Sequence, residues 1–166
     1  MRYIDEELCR EFVFPFIHAQ LSSGEPSPQY EEEQRGMGEL RKVLDFVRDD
    51  RYYPSFASKA SYILCSIAGS QYFSNGNKRL GVSLLILFLL LNSASFEDLN
   101  EEGYQMLLAR FFPKHVWESA PIGGMHSLFL YNLAIVIGNR ATWNEKGFDP
   151  LKQDVAELID HLYKQE

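Results

Sequence analysis

Residues 71–79 combine residue types that suit an anion-binding site. The segment lies where one predicted helix ends and a strongly apolar one begins, and reads Gln71-Tyr72-Phe73-Ser74-Asn75-Gly76-Asn77-Lys78-Arg79. The first turn of a helix leaves about four backbone N–H groups unpaired and carries roughly half a positive charge. Gly76 lets a phosphate approach that backbone closely, while Lys78 and Arg79 add fixed positive charge. The segment therefore indicates a site for a di- or triphosphate.

The same residues also have a plainer interpretation. Ser74 or Asn75 would cap a helix, Gly76 would ease a turn, and Lys78 and Arg79 would be solvated. Short motifs match many unrelated sequences by chance. On these nine residues alone, both interpretations stay open.

The elements that would position the segment are helices. Apolar residues recur at helical spacing along the whole chain, whereas the strict alternation typical of strands is confined to short stretches. The sequence therefore predicts an all-α fold, with loops over residues 22–35, 121–124 and 138–147. The predicted helices run from near Asp5 past Phe16, from Met37 to Asp49-Asp50, from Ser55 to Gly69, from Gly76 or Asn77 to about Asn92, from Asn100 to Pro113, from Met125 to Gly138, and from Asp149-Pro150 past Leu162.

Three further predictions concern packing. Leu8, Phe12 and Phe16 recur at every fourth position, so we expect them to line the inner face of a first helix that Pro15 kinks or splits. The helix after residues 71–79 is apolar on nearly every side and is predicted to be the central, buried one. The charge run over residues 31–33 is predicted to be a solvated loop.

Composition limits the possible classes of protein. The 166 residues are 46% hydrophobic and 14% aromatic, which suffices for one packed domain over residues 1–166. The net charge of −7 argues against a general nucleic-acid binder, because such a protein needs a basic face, so DNA binding is not expected. Membrane binding is not expected either, since the apolar run Leu80–Leu91 is shorter than the roughly 20 residues of a membrane span.

The cysteines and the N-terminal residues bear on localisation. Cys9 and Cys65 lie far apart and form no CxxC pair, so neither a disulfide framework nor a structural zinc site is predicted. Residues 1–7 are acidic where a signal peptide needs an unbroken apolar stretch. Both features predict a cytoplasmic protein.

Residues 71–79 resemble the motif of the Fic/Doc (Fido) family, His-x-Phe-x-Asp/Glu/Asn-Gly-Asn-Gly/Lys-Arg. Phe73 and residues 75–79 match the form of the Doc-like, death-on-curing branch, in which lysine follows the Gly-Asn pair. Three flanking stretches are similar as well: Gly38-Glu39-Leu40, Lys59-Ala60 and Phe88–Asn92. The resemblance is strongest over residues 4–96, and helices over residues 100–164 would complete a Fic/Doc-like bundle.

The resemblance implies a function and roles for single residues. Family members move AMP or phosphate from ATP to a protein hydroxyl. Asn75 would then occupy the place that binds Mg²⁺, Gly76 and Asn77 would form the phosphate nest, and Lys78 and Arg79 would form the charge clamp.

Less specific correspondences follow from the same resemblance. Phe73 would anchor the loop in the core, and Tyr52 and Tyr53 fall where the family has a flap that aligns the target peptide. The implied partners are ATP or another nucleoside triphosphate, a protein target and an antitoxin-like protein.

The chain departs from the family at the position of the base. Gln71 replaces the motif histidine that takes the proton from the attacking hydroxyl, and an amide cannot accept a proton. A positioned base typically raises the reaction rate 10²- to 10⁴-fold, whereas electrostatic stabilisation and orientation of the substrates account for most of the rate acceleration in phosphoryl transfer. We therefore expect either an attenuated AMP or phosphate transferase, with Arg79 and Gln71 at the reacting groups, or a catalytically inactive Fic-fold module that binds a protein.

The sequence offers no nearby substitute for this base. His18, His115, His126 and His161 lie on other segments. His126 lies in an apolar helix and is predicted to be packed in the core, while His161 is predicted to face solvent or to stabilise a helix end.

Overall fold

The computed structural model describes residues 1–120 and 123–165, and their fold is mostly helical. The all-α prediction is confirmed at this level, with one short antiparallel strand pair added. The elements in chain order are α1 (Glu6–Leu8), a π-helical segment (Cys9–Val13), α2 (Phe14–Gln20), a 3₁₀ turn (Tyr30–Glu32), α3 (Gln34–Phe46), α4 (Phe56–Ala68), α5 (Asn77–Leu91), β1 (Ala94–Phe96), α6 (Glu101–Phe111), α7 (Met125–Gly138), α8 (Arg140–Lys146), α9 (Phe148–Leu162) and β2 (Tyr163–Gln165).

The central helix is α4, and the prediction that α5 would be the most buried helix is wrong. Every residue of α4 except Ser58 is buried, because α3, α5, α7 and α9 all pack against it. Helix α5 packs on α4 with one face only, and Leu90 on its outer face is 71% exposed. The predicted limits hold for both helices: Ser55 and Ser58 form a capping box at the start of α4, and Gly69 ends it.

Helices α4 and α5 approach each other closely at Gly81. A Cβ atom at this position would lie 2.9 Å from Ala68 N and 3.0 Å from Ala68 Cβ. The two helices, which residues 69–76 connect, are therefore held at a fixed separation.

A pair of alanine substitutions tests this contact. Gly81→Ala is expected to lower the free energy of unfolding by about 1–3 kcal/mol, because the added methyl overpacks against backbone atoms. Gly38→Ala on α3 is the matched control, since a Cβ there meets no atom within 4 Å. It should raise the free energy of unfolding by about 0.5–1 kcal/mol, as a helix-interior glycine is replaced. Urea denaturation of both variants measures whether the free energy of unfolding rises or falls. A stabilised Gly81→Ala variant would contradict the close contact between α4 and α5 at Gly81.

The N-terminal helical region turns a different face to the core from the predicted one. Phe12 is 56% exposed and Phe16 is 43% exposed, so the expected inner face of Leu8, Phe12 and Phe16 is wrong. The π-helical segment causes this, because its wider turn shifts which positions face inward. Pro15 lies in the first turn of α2, directly after the π-helical segment. The buried side chains are instead Cys9, Val13, Phe14 and Ile17.

Helices α3, α6, α7 and α9 lie where the sequence predicts them. Asn100 caps α6 by accepting a hydrogen bond from Gly103 N. The predicted loop over residues 138–147 is wrong, because residues 140–146 form α8. Pro121 and Ile122, from the other predicted loop, lie outside the described residues. The predicted apolar stripes of α3 and α9 are buried: Met37, Leu40, Leu44 and Val47, and Leu151, Val155, Leu158 and Leu162.

Three smaller findings complete the fold. Cys9 and Cys65 are both buried free cysteines. His161 is exposed near the end of α9, as predicted. In residues 1–120 and 123–165, we find no helix with the length and apolarity that crossing a membrane requires.

Strands β1 and β2 pair antiparallel, and His126 packs against them. Its ring stacks on Phe96 at 4.0 Å, and Nε2 lies 2.5 Å from the Tyr163 hydroxyl. Burial lowers the pKa of His126 below the ordinary value of 6.5, while the charge of Asp98 opposes this more weakly. His126 is therefore packed, as predicted, but it is half-buried at the edge of the core and not inside it.

This burial predicts a pH dependence of stability. The unfolded chain binds a proton at His126 more readily than the folded chain does, so the free energy of unfolding should fall as pH drops below about 6.5. Urea denaturation between pH 5 and 8 measures the slope. His126→Gln should flatten it, whereas the exposed His161→Gln should leave it unchanged. Equal slopes for the wild type and His126→Gln would contradict the assignment.

Candidate functional site

The loop between α4 and α5 is organised by the side chain of Asn77. Its Oδ1 accepts a hydrogen bond from Phe73 N at 3.0 Å, and its Nδ2 donates to Phe73 O at 2.9 Å. Asn77 is only 9% exposed, so both bonds are shielded from water. The Asn77 side chain therefore holds the loop, and only its backbone amide remains for the predicted phosphate nest.

Phe73 anchors the loop in the core, as the resemblance implies. Its ring is 1% exposed and packs edge-on to Tyr30 at 5.0 Å. On the other side it presses on Gly36 of α3, where a Cβ would lie 2.6 Å from the ring. A glycine at position 36 is therefore needed for this close approach.

Gly76 and Asn77 at the start of α5 are both buried, and a Cβ at Gly76 would meet the Tyr30 hydroxyl, Pro28 and the Arg79 guanidinium. The N-terminal turn of α5 is therefore covered by side chains in this conformation.

The φ of 72° at Gly76 lies in the left-handed region, which glycine adopts at little cost. The first helical hydrogen bond runs from Leu80 N to Gly76 O at 3.0 Å. The amides of Asn77, Lys78 and Arg79 precede that bond, so they make up the N-terminal group of donors that suits an anion.

Tyr30 supports Gly76 from the side. Its hydroxyl donates to Gly76 O at 3.0 Å, and its ring is fully buried. Burial raises the pKa of Tyr30 to about 12, so the phenol stays protonated and keeps donating across the neutral range.

Residues 21–28, here called the strap, cover part of this helix start. Arg79 Nη1 donates to Leu21 O at 3.0 Å and to Glu25 O at 2.7 Å. Arg79 Nη1 also reaches Ser27 Oγ, and Nη2 donates to Pro26 O at 3.2 Å. The guanidinium predicted as part of a charge clamp is therefore engaged by the strap in this conformation.

Asn75 is also engaged by its surroundings. Its Nδ2 donates to Pro26 O at 3.0 Å, and its Oδ1 accepts from Gly76 N at 2.6 Å. A hard cation such as Mg²⁺ prefers carboxylate oxygens, and among residues 1–120 and 123–165 no group of three or more His, Cys, Asp or Glu side chains could hold a metal ion. A neutral amide oxygen holds Mg²⁺ more weakly than a carboxylate does, so Asn75 would be a weak ligand for this ion.

Gln71 and Lys78 are both exposed beside the loop. Gln71 lines an open groove of about 390 Å³, together with residues 33–36 and 72–74. The aliphatic stem of Lys78 passes Gly138 at the end of α7. The structure thus brings Gln71 to a groove along the loop, while Lys78 lies on the side of α7.

Glu33 enters the same groove, and sequence reasoning missed it. Its Oε1 accepts from Ser74 N at 2.7 Å, and its Oε2 accepts from the Ser74 hydroxyl at 2.9 Å. The prediction that residues 31–33 form a solvated loop is therefore wrong for Glu33. Glu33 and Ser74 are 41 residues apart, and nothing in the local sequence distinguishes Glu33 from its acidic neighbours.

Tyr52 and Tyr53 have different environments. Tyr53 is buried, stacks on Tyr62 at 4.2 Å and accepts a hydrogen bond from Lys152 Nζ at 3.1 Å. Tyr52 is 61% exposed and packs on Phe46. Of the two residues predicted in a flap, only Tyr52 presents a surface to a partner.

No family model, curated protein or solved structure matches the chain.

The arrangement nevertheless combines two chemical capabilities. If the strap moves, the α5 start offers backbone amides beside Gly76, and Arg79 becomes available. The groove beside it offers the Gln71 amide and the Glu33 carboxylate, but no histidine. An anion could bind at the first feature while a hydroxyl group enters the second.

Proposed function

We propose that this chain is a Fic/Doc-like nucleotide-binding protein that transfers AMP or phosphate from a nucleoside triphosphate to a protein hydroxyl at a reduced rate. The observation that carries the proposal is the start of α5, where three amides follow a left-handed Gly76. These amides, together with Arg79 once the strap has released it, would supply the charge stabilisation on which phosphoryl transfer mainly depends.

The reduced rate follows from Gln71. Its amide can orient an incoming hydroxyl from the groove but cannot receive the proton. Charge stabilisation and positioning would remain, so the proposal predicts slow transfer and not complete loss.

Binding of the triphosphate requires the strap to move away from the start of α5 and to release Arg79. The strap carbonyls of Leu21, Glu25 and Pro26 hold Arg79 through bonds that a phosphate could replace. The guanidinium is charged in both sets of bonds, but a phosphate adds a second, opposite charge and accepts bidentate bonds, so the exchange favours the bound nucleotide. In this scheme, Mg²⁺ enters with the nucleotide, and no residue of the chain is assigned to hold it.

Two assays test the proposal. Calorimetric titration with Mg²⁺ and ATP should show binding. Lys164→Gln, on β2, which pairs with β1 after the far end of α5, should bind as the wild type does. ATP labelled on the α- or the γ-phosphate, incubated with the protein and a cell lysate, should then label a protein slowly. The α-label indicates AMP transfer and the γ-label phosphate transfer. Absence of ATP binding would overturn the proposal.

A second candidate function is a Fic-fold module that binds a protein without catalysis. It is favoured by the four hydrogen bonds that already occupy Arg79 and by the missing histidine. The natural partner under this alternative is an antitoxin-like protein or another protein target. Binding of ATP without any transfer by the wild type, but with transfer by Gln71→His, would favour it.

The proposal places the protein in the cytoplasm. Nucleoside triphosphates are abundant there, and two buried, unpaired cysteines are compatible with a reducing compartment.

A further inference from the structure

Glu33 lines the same groove as Gln71, the residue at the position of the motif histidine. Glu33 immediately precedes α3, and its side chain reaches the loop through two hydrogen bonds to Ser74. These bonds, at 2.7 and 2.9 Å, fix both carboxylate oxygens. The carboxylate therefore has a defined position in the groove.

Its two bonds leave Glu33 able to accept another proton donor. An ionised carboxylate has about four lone-pair sites, and Ser74 uses only two of them. Gln71 lines the same groove and can hold a hydroxyl oxygen by donating from its amide. A carboxylate is a sufficient base for phosphoryl transfer, since protein kinases use an aspartate in this role.

We propose that Glu33 receives the proton of the attacking hydroxyl, in place of the missing histidine. This inference rests on the proposed function and identifies the base within it. Gln71 is then a positioning residue, and Glu33 is the catalytic one.

The step balances with a nucleoside triphosphate as the co-substrate. The hydroxyl oxygen forms a new bond to phosphorus while its proton passes to a Glu33 oxygen. The bond from phosphorus to the bridging oxygen breaks, and the leaving diphosphate or nucleoside diphosphate keeps that electron pair. The proton on Glu33 then passes to water or to the leaving group, which restores the carboxylate.

A structural role must be separated from this catalytic one. Glu33 braces Ser74, so removing its side chain would also loosen the loop. Glu33→Gln is the informative change, because its carbonyl oxygen still accepts from Ser74 N but cannot take up a proton at neutral pH. Glu32→Gln is the matched control, since Glu32 is exposed.

The test measures labelled transfer from ATP to lysate protein for the wild type, Glu32→Gln, Glu33→Gln and the double variant Glu33→Gln with Gln71→His. Glu33→Gln should lower kcat by about 10²-fold or more, with ATP binding unchanged by calorimetry. The double variant should recover transfer because an imidazole replaces the base, whereas Glu32→Gln should match the wild type.

Three outcomes would overturn the inference. The first is a wild-type rate in Glu33→Gln, and the second is a double variant that stays inactive. The third is a wild type without transfer beside an active Gln71→His. If ATP still binds in each case, only the proposed role of Glu33 is wrong. If no variant binds ATP, the proposed nucleotide-binding function is wrong as well.

Discussion

Asn77→Ala is expected to lower the free energy of unfolding by about 2–4 kcal/mol and to abolish ATP binding. The substitution leaves Phe73 N and Phe73 O without their partner inside the protein, and each buried unsatisfied group costs about 1–3 kcal/mol. The loop that sets the start of α5 then loses its defined shape. Urea denaturation and calorimetry measure the two effects.

Asn92→Ala is the control for this prediction. Asn92 also uses its amide internally, accepting from Arg2 N and donating to Phe88 O at the opposite end of α5. Its replacement should reduce stability without changing ATP affinity. An Asn77→Ala variant that binds ATP as the wild type does would show that the loop geometry is irrelevant to binding.

Gln71→His is expected to raise the rate of transfer by an amount that depends on Glu33. In the Glu33→Gln background no base remains, so an imidazole at position 71 should increase the rate by about 10²- to 10⁴-fold. With Glu33 intact the gain should be smaller, on the order of tenfold, because a base with a pKa near 7 improves on a carboxylate. Initial rates with labelled ATP measure both gains.

The two gains should differ if both side chains serve one step. Equal gains in the two backgrounds would mean that Glu33 takes no part in proton transfer. ATP affinity serves as the internal check, since position 71 lies in the groove and not at the helix start.

Local signals predicted much of the helical framework. Ser55 and Asn100 each cap the next helix through a side-chain bond three residues along, which is a short-range interaction that the sequence displays directly. The start of α5 was predicted for the same reason, because Gly76 and the apolar run mark it. Helix α8 was missed, since the short span between Gly138 and Gly147 has the composition of a loop.

Long-range contacts of the site could not be predicted from the sequence. The strap reaches Arg79 across 52 to 58 residues, and its acceptors are mainly backbone carbonyls, which carry no sequence signal. Glu33 meets Ser74 only because α3 packs beside the loop through Gly36 and Phe73. Residue types therefore indicated an anion site, whereas the engagement of Arg79 and the position of Glu33 depend on the tertiary fold.

Amide chemical shifts give the most direct test of the central claim, that a polyphosphate binds at the start of α5. In a titration of the ¹⁵N-labelled protein with Mg²⁺ and ATP, the largest shifts should occur at Asn77, Lys78 and Arg79, with further shifts in residues 21–28 as the strap leaves Arg79. Absence of shifts would contradict the claim. Shifts confined to the separate cavity of about 260 Å³ lined by Phe112 and Glu145 would contradict it equally.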